Sequence, residues 1–76
     1  MMTTETKKFK KGMHVSWKWG AHNAYGEIAE IYTEKVSRRI KGKMITRNAS
    51  PEEPAYLLVQ ENGQEVLKSE SELHHL

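Results

Sequence analysis

No cysteine occurs among the 76 residues, which excludes disulfide staples, thiolate-ligated zinc and a cysteine nucleophile. Aromatic residues are also scarce, with one Phe, two Trp and three Tyr, and only 37% of the chain is hydrophobic. A chain of this length buries roughly 60% of the surface its unfolded form exposes, so its core is small and a deep enclosed active site has little room. The longest run of large apolar residues is Tyr56-Leu57-Leu58-Val59, far short of the ~20 that a membrane-spanning helix needs. The lysine-rich start lacks an apolar h-region, so no secretory leader is expected and a cytoplasmic location is. Catalytic signatures are missing too. There is no glycine-rich phosphate loop and no Gly-x-Ser-x-Gly elbow, and His14, His22, His74 and His75 fall at no metal-ligand spacing. Glu52-Glu53 reads as acids favoured at the start of a helical turn rather than as a catalytic pair. Asn48-Ala49-Ser50 fits a glycosylation sequon, which without a leader is a chance match. No enzyme activity, metal or cofactor is expected.

What the chain does have is segregated charge. The net value is only +2, yet residues 35–47 carry Lys35, Arg38, Arg39, Lys41, Lys43 and Arg47 with no acid, while residues 48–76 hold six Glu against Lys68. A basic segment of this density attracts phosphates. The near-balanced total favours a plainer reading, in which a basic hairpin lies beside an acidic C-terminal part and the two neutralise each other.

Along the chain, residues 1–8 are polar and without periodicity, a disordered basic tail by composition. Met13, Val15, Trp17 and Trp19 alternate with His14, Ser16 and Lys18, the period of a half-buried strand. Gly20 to Asn23 reads as a loop. From Ala24 to Lys41 the pattern is ambiguous. Tyr25, Ile28, Tyr32, Val36 and Ile40 recur at helical spacing, whereas Gly26 and the β-branched residues disfavour a helix. A strand here requires a bulge near Ala29-Glu30 to bring both Ile28 and Ile31 inward. Val36 to Arg47 reads as a hairpin about Gly42, and Asn62-Gly63 marks a second between Ala55–Glu61 and Gln64–Lys68. Ser50-Pro51-Glu52-Glu53 and Ser69-Glu70-Ser71-Glu72 have capping-box spacing and predict single helical turns. The sum is an all-β domain, a small antiparallel barrel of five to six short strands with one or two single helical turns. Its boundaries are 9–73, with a frayed C-terminus at 74–76. The expected core is Val15, Trp17, Ile28, Ile31, Ile40, Ile45, Leu57, Val59, Val66 and Leu73.

Several blocks are more specific than periodicity. Gly12-x-x-Val15-Ser16-Trp17-x-Trp19-Gly20 and Gly26-x-Ile28 are followed by Ile40-Lys41-Gly42-Lys43-x-Ile45-Thr46-Arg47-Asn48-Ala49-Ser50, Pro54-Ala55-Tyr56-Leu57 and Val66-Leu67-Lys68-Ser69-x-Ser71-Glu72-Leu73. From about Phe9 to Leu73 the chain resembles the family of hypervirulence-associated proteins with a TUDOR domain. The resemblance implies an SH3-like, Tudor-type barrel standing alone as one domain, and with it strands rather than a helix in the middle segment. It implies no biochemical activity, because the family name records an association rather than a mechanism. Members usually carry Asp directly after the first glycine; here Met13 follows Gly12, so a capping role for that Asp does not carry over.

These features predict a non-catalytic binding module, monomeric, with a protein or peptide partner and no membrane. A groove lined by Trp19, Tyr25 and Tyr32 is the candidate ligand site. The alternative is weak nucleic-acid binding through the basic hairpin, with Arg38, Arg39, Lys41, Lys43 and Arg47 as phosphate contacts. Strict alternation puts Arg38 on the face of Val36 and Ile40, and Arg39, Lys41 and Lys43 on the other. A Tudor-type fold also raises an aromatic cage for methylated side chains, drawn from Trp17, Trp19, Tyr25, Tyr32 and Tyr56. The plainer reading keeps Trp17 and Tyr56 in the core.

Overall fold

The computed structural model describes residues 9–75, so the expected tail at 1–8 and the terminal Leu76 lie outside the described residues. The strands are β1 (His14–Trp19), β2 (His22–Tyr32), β3 (Val36–Ile40), β4 (Lys43–Arg47), β5 (Ala55–Val59), β6 (Glu65–Ser69) and β7 (His74–His75), with a 3-10 turn at Glu70–Glu72. All strand pairs are antiparallel.

Turn chemistry sets where the strands begin and end. Gly20 has φ 60 and is the first of two turn residues between Trp19 and His22, the glycine position of a type II′ hairpin. The expected loop at 20–23 therefore contracts to Gly20-Ala21, and His22 and Asn23 join β2. That strand runs for 11 residues and settles the ambiguous segment. Tyr25 is exposed and Ile28 buried, so residues at helical spacing do not share a face. The pairing of β2 with β5 slips between Ile28 and Glu30, a bulge at the expected place. It sets Ile31 opposite Tyr56, on the face of Ile28 as expected, but Ile31 is not buried there and remains 37% exposed. The second hairpin turns at Lys41 and Gly42, with φ 53 and 79. The third uses Glu61, Asn62 and Gly63 rather than Asn62-Gly63 alone, closing with Gly63 N–H donating to Gln60 O (2.8 Å) and Gln60 N–H to Gln64 O (2.8 Å).

The expected closed barrel of five or six strands is not formed. Among the described residues there is one sheet of order β6-β5-β2-β1-β7 and a separate pair β3-β4. The larger sheet is nonetheless strongly curled, because its two edge strands are neighbours in sequence. Flat, the edges of five strands stand about 19 Å apart at ~4.8 Å per spacing. The link from Ser69 to His74, a 3-10 turn plus extended residues, reaches only about 13 Å. His74 and His75, expected to fray, instead pair with Ser16 and Val15.

The concave side holds Phe9, Val15, Trp17, Ile28, Tyr56, Leu58 and Leu73. Trp17 is 2% exposed, and truncating a side chain of that size to Ala in a core costs about 3–5 kcal/mol. Phe9 packs edge-on against Tyr56, centroids 5.6 Å apart, and its N–H donates to the Tyr56 hydroxyl at 3.2 Å. On the other face, Leu57 lies opposite Leu67 and both are buried. Strands β3 and β4 both contact β6 there. Of the expected core, Ile40, Ile45, Val59 and Val66 are half-buried; Ala55, Leu58, Leu67 and Phe9 take their place, and Tyr56 is buried as the plainer reading of the rings has it. One helical turn forms, at 70–72, where the Glu72 carboxylate accepts from Ser69 N–H (3.2 Å). At 51–53 there is a bend only.

Candidate functional site

Trp19 and Tyr25 are large aromatics left in the open, 68% and 53% exposed. Trp19 continues the inward parity of Val15 and Trp17 but stands at the end of β1, where the turn leaves nothing to cover it. Tyr25 lies opposite Ser16 on the convex face. Both line an open groove of about 900 Å³ with Glu27 on the same side and Val59, Gln60, Glu61 and Asn62 on the other. The groove exists because β2 overhangs β5. The pairing of the two strands stops at Glu27 opposite Val59, and the chain then turns away. Gly26 forms the floor. A Cβ built there would lie 3.0 Å from Val59 O and 3.0 Å from Trp17 Cη2, so the buried indole supports the groove from beneath.

Tyr32, grouped with these two by sequence, is elsewhere. It is half-buried at the far end of β2, beyond the bulge and opposite Ala55. Of the five rings that could form a cage, Trp17 and Tyr56 are core residues, which leaves Trp19 and Tyr25 lining the groove from opposite faces of the sheet. Burial pushes the Tyr56 phenol above its usual 10.0, with the nearby Glu70 adding to the rise against the hydrogen bond from Phe9. The residues of the groove's second wall carried no local signal as ligand contacts. Asn62-Gly63 was legible as a turn, but its position beside Tyr25 follows from the pairing of Glu27 with Val59.

The basic hairpin divides into two groups. Arg38 forms an ion pair with Glu65 (3.3 Å), and Arg47 Nε lies 3.7 Å from Glu72, which also pairs with Lys68 (3.3 Å). These contacts tie β3 and β4 to the acidic C-terminal part, each worth about 0–1 kcal/mol because the groups are part-exposed. Arg39, Lys41 and Lys43 stay exposed. Arg39 lies on the outer face opposite Met44, Lys41 occupies the turn, and Lys43 stands opposite Ile40, on the face where alternation alone did not put it. The three are therefore divided between the two faces and the turn of the hairpin tip and do not share one face.

The other polar candidates have structural partners. Ser50 Oγ accepts from Glu53 N–H, and Ser50 N–H donates to Glu53 O, both at 3.1 Å, which builds the bend after Asn48. Met13, directly after Gly12, sets its sulfur 3.1 Å from the backbone nitrogen of Lys10. His14 lies 3.9 Å from Glu27, and His75 stacks on Phe9 with centroids 6.4 Å apart. Among the described residues, no group of three or more His, Cys, Asp or Glu is placed to hold a metal ion, and no helix is long and apolar enough to cross a membrane.

The family described as hypervirulence associated proteins TUDOR domain matches the chain over residues 12–73. No curated protein and no solved structure matches it.

Proposed function

Since the chain belongs to the family of hypervirulence-associated proteins with a TUDOR domain, we propose that it is a small non-catalytic binding module of the cytoplasm that holds a protein or peptide segment between Trp19 and Tyr25. The SH3-like reading of its fold rests on that membership. The observation that carries the ligand site is the pair of exposed rings lining one groove, in a chain with few aromatics to spare. Aromatic side chains supply large contact area for little lost conformational freedom, and they dominate the energetics of small interfaces. The charge layout weakens the rival reading, because Arg38 and Arg47 already face Glu65 and Glu72.

The test is selection of peptides from a random display library against the wild-type chain, with counter-selection on Trp19→Ala. Peptides retained by the first and lost by the second, with binding nearly constant between low and moderate salt, support the groove. Nucleic acid is the second reading, favoured only by the exposure of Arg39, Lys41 and Lys43 at one hairpin tip. An amide NMR titration with short DNA and RNA decides it. Shifts confined to Arg38–Arg47 that vanish as salt rises would replace the peptide reading with the nucleic-acid one.

A further inference from the structure

The groove has a feature that side chains alone do not show. Ile28 N–H donates to Met13 O and Ile28 O accepts from Gly12 N–H, both at 2.9 Å, so Ile28 turns both backbone groups toward β1. Successive residues of an antiparallel strand point these groups to alternate sides. Gly26, Ala24 and His22 therefore also face β1, which agrees with Trp19 and His22 closing the two-residue turn. Glu27, Tyr25 and Asn23 face the other way. Glu27 meets Val59 of β5, but Glu61, the next residue whose backbone groups would face β2, lies in the turn closed between Gln60 and Gly63, and among the described residues no backbone bond joins it to Tyr25. Asn23 and Tyr25 thus each present an N–H and a C=O into the groove, and no strand among the described residues takes them. A row of free backbone groups beside exposed aromatics is a template for strand addition. The groove also has a charge sign, since Glu27 and Glu61 line it and no Lys or Arg does. His14, the lining residue able to carry positive charge, lies 3.9 Å from Glu27.

We propose that the overhang of β2 accepts an extended basic peptide as an added strand, its backbone paired with Asn23 and Tyr25 and its Lys or Arg side chains facing Glu27 and Glu61. This rests on the peptide-binding reading and specifies its geometry and charge. The stems of those side chains pack on Trp19 and Tyr25 while their charged ends reach the carboxylates.

The experiment uses the full chain, labelled for amide NMR, and a capped eight-residue peptide of alternating Arg and Val. In the free protein, Asn23 and Tyr25 amides exchange rapidly while Ala24 and Gly26 are protected. Added peptide slows exchange at Asn23 and Tyr25 at least tenfold and shifts the Trp19 indole. The Glu-for-Arg counterpart binds at least tenfold more weakly, and Glu27→Gln with Glu61→Gln narrows that gap. N-methylation of the peptide's edge-facing amides abolishes binding, whereas methylation of the alternate amides does not. Asn23→Pro, which removes an edge donor that the β1 ladder does not use, weakens binding with the β1–β2 amides still protected. Library-selected peptides that shift Trp19 without protecting Asn23 and Tyr25 would overturn strand addition and leave the peptide reading standing. Absence of any peptide response at Trp19 would remove both. Slow exchange of Asn23 and Tyr25 in the free protein would mean that the chain covers this edge itself, and would overturn the proposal.

Discussion

Replacing Gly26 with alanine probes the contact on which both the core and the groove depend. Gly26 has ordinary extended backbone, so conformational freedom is not what requires a glycine here. Close approach is. The added Cβ would sit 3.0 Å from Trp17 Cη2, 3.2 Å from Trp17 Cζ3 and 3.0 Å from Val59 O. Neither neighbour yields easily, because Trp17 is packed in the core cluster and Val59 O belongs to the β5 backbone. Overpacking of this kind costs about 1–3 kcal/mol. Loss of glycine's freedom in the unfolded chain returns about 0.4–1 kcal/mol. The net expectation is a destabilisation of about 1–2 kcal/mol, or a Tm lower by roughly 5–15 °C in a domain of this size. Urea unfolding followed by tryptophan fluorescence measures it, with the midpoint lowered and the slope unchanged. The same substitution in a Trp17→Phe background should cost at least about 0.5 kcal/mol less, since the indole atoms it meets are gone and only the Val59 contact remains. A Gly26→Ala chain as stable as wild type, or a cost unaffected by Trp17→Phe, would show that the indole does not lie against β2, and the account of the groove floor would fail with it.

Three further outcomes follow from local geometry. Lys41 sits at φ 53 in a two-residue turn, so Lys41→Asn should raise stability by about 0.5 kcal/mol and Lys41→Val lower it by about 1, read from urea midpoints. Ser50→Ala should cost about 1 kcal/mol by leaving the Glu53 N–H without its acceptor; a loss of partner binding with unchanged stability would instead make Ser50 a contact residue. Burial raises the Tyr56 phenol above 10.0, chiefly by desolvation, so the folded chain keeps a proton that the unfolded chain releases above that pH. Stability should therefore be intact below pH ~10 and fall as pH climbs through the folded value, and Tyr56→Phe should remove that slope while lowering stability at pH 7 by orphaning the Phe9 N–H. An alkaline slope identical in the two proteins would refute the assignment.

What was legible in the sequence was whatever one strand or one turn writes by itself. Val15 and Trp17 alternate with polar neighbours because β1 buries one face, and Gly20, Gly42 and Gly63 mark turns because each stands at positive φ. The bulge near Ala29 was readable from the clash between Ile28 and Ile31. What covers a face was not readable. β5 shows no alternation because the concave core buries Tyr56 and Leu58 while Leu57 meets Leu67 on the other side, so periodicity picks out Leu57 and misses Leu58. Ile40 and Ile45 have core-like chemistry, yet they lie on a hairpin joined to the sheet by part-exposed ion pairs. Those pairs link residues far apart in sequence, which local reading does not connect.

The candidate site was out of reach for a related reason. Residue type singles out Trp19 and Tyr25 but groups Tyr32 with them, although Tyr32 lies at the far end of β2, because a groove depends on which strand ends first. Strand β2 has 11 residues against 5 in β5, and the surplus at its start is what leaves Asn23 and Tyr25, paired with β1 on one side, without a strand on the other among the described residues. Each strand end has its own local cause, Gly20 for one and the Glu61-Asn62-Gly63 turn for the other. Their offset is a register relation, set by Glu27 opposite Val59 together with the slip at Ala29. Register is specified by the whole buried face rather than by any one residue. A change that shifted this pairing would therefore close or lengthen the groove without touching Trp19 or Tyr25.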